Sequence, residues 1–132
     1  MIDKKYLKFA ILLLLGALPV QSISAEGYVD TRAGWSRMPL DAQAAYVQGL
    51  HDGLNYHFSD DSLENAIAKR GRTNCLKEQG ITAAVLARTI SQAYDLEQFQ
   101  GLSPVAVYII RIGEICRPYI NSERRAFGLP AQ

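Results

Sequence analysis

Few residues in this chain have the types and spacing that chemistry needs. Its two histidines, His51 and His57, are six apart, which turns them to opposite sides of a helix, and Asp52 beside His51 points elsewhere again. His57, Asp60 and Asp61 could meet at a helix end and hold a metal. The plainer reading is a solvated turn, since Ser59, Asp60, Asp61 and Ser62 are all turn and helix-start residues. Asp60 and Asp61 could also act as paired carboxylates in a hydrolysis, but adjacent acids before a helix are accounted for by the positive end of its dipole. Serine and threonine hydroxyls are present without a histidine placed to activate them. There is no nucleophile elbow, zinc-protease helix, phosphate loop or calcium loop. The run Lys69-Arg70-Gly71-Arg72 is basic, and reads either as a solvated loop or as a contact for an acidic partner. The sequence thus assigns no catalytic residue, no metal and no cofactor, and the expectation is a binding protein rather than an enzyme.

The two cysteines, Cys75 and Cys116, do carry a definite expectation. Their separation is far from a redox CxxC, and without paired histidines they do not make a zinc site. In an exported chain of this size such a pair reads as one structural disulfide.

Export is read from the N-terminus. Residues 1–25 open with Lys4, Lys5 and Lys8, continue into an apolar run with four consecutive leucines, Leu12 to Leu15, and end in Ser22, Ser24 and Ala25. These are the three parts of a cleavable signal peptide. The apolar run is about a dozen residues, too short for a membrane-spanning helix, which needs roughly 20. Removing it takes three of the 14 basic and one of the 13 acidic residues, leaving a near-neutral chain of residues 26–132. That suits one domain with one modest core. The charge balance, with no basic stripe, excludes nucleic acid and polybasic membrane attachment as partners. The apolar content excludes a disordered chain.

The elements that would hold these residues are helical almost throughout. Residues 26–37 form a polar leader, expected to be loop, with Trp35 docking on the body. Leu40, Ala44, Val47, Leu50, Leu54 and Phe58 recur in steps of three and four, which predicts a helix over 39–57. Gly49 and Gly53 are costly inside it. Lying on one face with Tyr46 a turn earlier, they suggest close approach of another helix or of a partner. A short helix is expected over 63–70, stopped by Gly71. Thr82 caps a helix running to about residue 97, with Ile81 as a hydrophobic staple. Ser103 and Pro104 open the last helix, whose face carries Val105, Tyr108, Ile109, Ile112 and Cys116, and Pro118 ends it. Beyond it the tail is expected to be loose. The fold class is all-α: a compact bundle of about four helices tied by one disulfide. Seven tyrosines add a weak interface signal.

In order, Tyr46-Val47-Gln48-Gly49, Asp52-Gly53, Cys75-Leu76, Gly80-Ile81-Thr82, then Leu86, Ile90, Tyr94, Pro104 and Cys116 resemble the Tai-type immunity proteins. Members of that family are periplasmic helical proteins that neutralise peptidoglycan amidase effectors delivered by type VI secretion. They share a YxxG element on the first helix, a cysteine before a Gly-Ile/Val-Thr helix start, and a last helix ending in cysteine. The resemblance spans about residues 35–116. Many members carry a further cysteine just before YxxG, where Gln43, Ala44 and Ala45 stand here. Contact residues differ between subfamilies, so only the framework carries over: Tyr46, Gly49, Gly53, Cys75, Thr82, Tyr94, Pro104 and Cys116. The resemblance implies a periplasmic inhibitor that occludes an amidase active site, and makes a homodimer an expectation to test; the segments 59–61 and 69–74, read from the residues as exposed loops, are the expected contributors to the contact. The alternative is an acid-stress periplasmic chaperone, or another small exported helical protein.

Overall fold

The structure, a computed structural model, describes residues 27–132; the expected signal peptide, 1–25, lies outside the described residues. Five α-helices and one 3-10 turn follow in order: α1 (Arg32–Ser36), α2 (Leu40–Asn55), α3 (Leu63–Glu78), α4 (Ala83–Ala93), the 3-10 turn (Glu97–Phe99) and α5 (Pro104–Ala126). The described residues contain no strand.

Three of the starts are set by the expected caps. The Ser62, Thr82 and Ser103 side chains accept from the amides of Asn65, Val85 and Ala106, each using one of the donors a helix N-terminus leaves free. Gly80, at φ 60°, lets the chain reverse after α3, with the Ile81 amide donating to Leu76 O at 2.9 Å. The leader is not all loop. Thr31 caps the short α1, which delivers Trp35 into the core as expected. Its indole donates to Ser91 (3.0 Å), and Tyr46 stands edge-on to it.

The helices pack as two antiparallel pairs, α3 on α5 and α2 on α4, with α4 also against α5. Val47, Leu86, Ala87, Ile90, Ala93, Val107, Tyr108 and Ile112 fill the space between them. Cys75 and Cys116 are fully buried and disulfide-bonded, with Cα atoms 5.5 Å apart, which ties α3 to α5.

Gly71 does not stop a helix at residue 70; α3 runs on to Glu78. A Cβ at Gly71 would stand 2.7 Å from Ile120 Cα and 2.9 Å from Ile120 N, so the glycine is where α3 and α5 cross backbone to backbone. Pro118 does not end α5 either. Pro118 is exposed, on the solvent side of the helix, while the buried Ile120 and Arg124 hold the next turns against the body. The tail is tied down rather than loose: Arg124 Nε donates to Pro130 O (2.6 Å), and Asn121 exchanges hydrogen bonds with the backbone of Gln132. Helix α2 ends at Asn55 and α4 at Ala93, each short of expectation. Leu40, Leu54 and Phe58 overhang the ends of their stripe and are exposed, as is Ile109 on α5.

Candidate interaction surface

The loop between α2 and α3, residues 56–62, is exposed at every position but Asp61. It carries the pair Tyr56 and Phe58, 64 % and 57 % exposed, with Leu63 (53 %) and Phe127 (50 %) also exposed nearby. The two aromatic rings pack edge to face, with centroids 5.0 Å apart. Exposed aromatics side by side at a loop tip are unfavourable in water and are a mark of recognition surfaces.

What fixes the loop lies beneath it. Lys69, on α3, is only 8 % exposed. Its ammonium donates to both carboxylate oxygens of Asp61 (2.7 and 2.6 Å) and to the Tyr56 carbonyl (2.7 Å), and lies 5.1 Å from the centre of the Phe58 ring. Asp61 also accepts from the Phe58 amide at 3.0 Å. All three ammonium protons therefore have acceptors, and the buried charge is paired, as burial requires. The hydrogen bonds from Lys69, then that from Phe58, hold the Asp61 carboxyl below its ordinary value of 3.8. A depressed carboxyl stabilises the fold above its unfolded pKa, and that contribution is lost only as pH falls through the lower folded value. The latch therefore persists in mild acid.

A second polar group lies further into the interface of α2, α3 and α5. His51 Nδ1 and the Tyr108 hydroxyl share a hydrogen bond of 2.6 Å. Arg72 Nε donates to Asn55 Oδ1 (3.0 Å), and Asn55 in turn donates to Lys69 O and Thr73. Burial pushes Tyr108 up to about 12 and lowers both His51 and Arg72. His51 is thus held neutral, with Arg72 adding to the cost of charging it and Asp52 opposing. For a histidine lowered below 6.5 the unfolded chain takes the proton first, so stability is full above pH 6.5 and falls as pH drops below it. The thermal midpoint is expected to drop between about pH 7.5 and about pH 5.5, and a His51→Gln variant to flatten that drop; an unchanged slope in the variant would remove His51 as its source.

The residues singled out from sequence thus separate. Asp60 is exposed while its neighbour Asp61 turns inward, so the two acids do not face a common point. Asp61 closes the loop and grips Lys69 rather than merely meeting a helix dipole. His57, on the rim of the loop, lies 3.9 Å from Asp61, far from His51 and its Tyr108 partner. Among the described residues no three His, Cys, Asp or Glu side chains gather as a metal site.

The basic run is not a loop. Lys69 is inside, Arg72 is half-buried, and only Arg70 is exposed, paired with Glu123 at 3.0 Å. Tyr46 packs on Trp35, while Gly49 and Gly53 face outward with nothing within 4 Å of where a Cβ would stand. Packing within the chain therefore does not explain the two glycines. Tyr56, Asn55 and the His51–Tyr108 pair were not legible as site residues; their only sequence signals were a tyrosine count and an asparagine at a helix end.

Among the described residues no helix is long and apolar enough to cross a membrane. No family model matches the chain, and neither a curated protein nor a solved structure does.

Proposed function

We propose that this chain is an exported inhibitor-type binding protein that neutralises a cell-wall hydrolase of the peptidoglycan amidase class by seating loop 56–62 in its active-site cleft. The observation that carries the reading is the Tyr56–Phe58 pair, held out in water by the buried Lys69–Asp61 latch. A loop fixed before binding loses little freedom on docking, and aromatics at the centre of a contact dominate its energy. Occlusion asks no chemistry of the inhibitor. The likeness of the YxxG and cysteine framework to Tai-type immunity proteins supports the target class and type VI delivery of that target. The disulfide suits an oxidising compartment, and the leader-like residues 1–25 suit delivery to the periplasm.

The test is inhibition of an amidase effector from the same cell envelope by the wild type and by the double variant Tyr56→Ala/Phe58→Ala. Truncating two central aromatics is expected to weaken inhibition about a hundredfold or more, with a thermal midpoint close to wild type because both side chains are exposed. Undiminished inhibition by the folded double variant would show that the loop is not the contact.

A further inference from the structure

Beside the loop, a groove of about 390 Å³ runs between α3 and the turn after α5. Leu63, Ala66, Ile67 and Phe127 give it an apolar floor, and His57 and Arg70 stand at its rim. The size lies at the lower end of ligand sites, of roughly 300–1,000 Å³. Thr73 is the remaining polar residue lining it. Its hydroxyl proton is already given to Lys69 O (3.0 Å) and one of its two lone pairs accepts from Asn55 (2.7 Å). The interior therefore has no free donor for the carbonyls of a peptide and a single acceptor site for its amides, and suits a chain without polar groups of its own.

The rim differs. Arg70 uses Nε for Glu123, and Glu123 is its acidic partner among the described residues. That leaves the terminal nitrogens of the guanidinium, a planar fork matched to a carboxylate. His57 can add a further hydrogen bond. We infer that this groove binds an alkyl monocarboxylate, its chain on Leu63, Ala66, Ile67 and Phe127 and its head group on Arg70. The inference does not depend on the inhibitor reading, because the ligand is recognised by this chain alone.

Decanoate tests it by calorimetric titration of the oxidised protein, with decanol as the uncharged control and Arg70→Gln and Ala66→Phe as variants. Arg70 is exposed, so its replacement leaves the core intact; Ala66→Phe fills the groove, and thermal melts check that both variants fold. The expected result is saturable one-to-one binding of decanoate, with at least a tenfold loss for decanol, for R70Q and for folded A66F. Equal binding of decanol, or decanoate binding unaffected by R70Q, would overturn the head-group assignment. Absence of saturable decanoate binding would overturn the site. If sedimentation then showed a dimer that A66F dissociates, the groove would belong to a second copy of the chain.

Discussion

Gly71→Ala is expected to destabilise the protein by about 2 kcal/mol or more, although alanine is the better helix former by about 1 kcal/mol. The atoms a new Cβ would meet are the Cα and N of Ile120, and backbone cannot swing aside as a side chain can. Relief requires α3 and α5 to move apart along the interface that holds the disulfide and the Asn74–Glu123 hydrogen bond. For a domain of this size the thermal midpoint should fall by roughly 10 °C. Gly49→Ala and Gly53→Ala are the internal comparison. Both sites are helical and open, so each change should leave stability unchanged or raise it by up to about 1 kcal/mol. Equal urea midpoints for Gly71→Ala and the wild type would mean that the helices do not cross at Gly71.

Reduction of the Cys75–Cys116 bond is expected to have the largest effect of all. The sequence separation is 41, and loop-closure entropy for such a loop amounts to about 4 kcal/mol. Domains of this kind have only about 5–15 kcal/mol of net stability, so the reduced protein should be marginal. Both sulfurs are fully buried, so reduction should need denaturant or long incubation. Urea unfolding of oxidised and reduced samples measures the difference, and coincident curves would contradict the structural role of the bond.

Local chemistry made part of this fold legible. Ser62, Thr82 and Ser103 announce their helices because a cap needs only its own next turn. Trp35 and the cysteine pair were legible because a large apolar ring or a cystine in a small domain has few places to go. Gly71 and Pro118 misled for the converse reason. Each is a local stop signal overruled by a contact with a residue remote in sequence or by the side of the helix that meets water. Gly71 serves the crossing at Ile120, and Pro118 lies on the solvent side of α5. The candidate surface shows the same division. Asp60 and Asp61 look equivalent as a dipeptide, and only the folding back of α3, which brings Lys69 under the loop, gives one to the latch and the other to solvent. By its spacing Phe58 is the last residue of an apolar stripe. It lies three residues beyond the end of α2, where the same apolar ring faces outward.

On the proposed reading the chain acts by stoichiometric occlusion of a cell-wall hydrolase. The most direct measurement captures partners from the envelope extract on the oxidised protein at neutral pH. The captured partner is then assayed for peptidoglycan cleavage, alone and with increasing amounts of the protein. The expected result is one partner that cuts peptidoglycan alone and stops near one equivalent of inhibitor, and that keeps cutting when the Tyr56→Ala/Phe58→Ala variant replaces the wild type. Cleavage that continues at saturation, or binding of many unrelated proteins that appears only in acid, would contradict it.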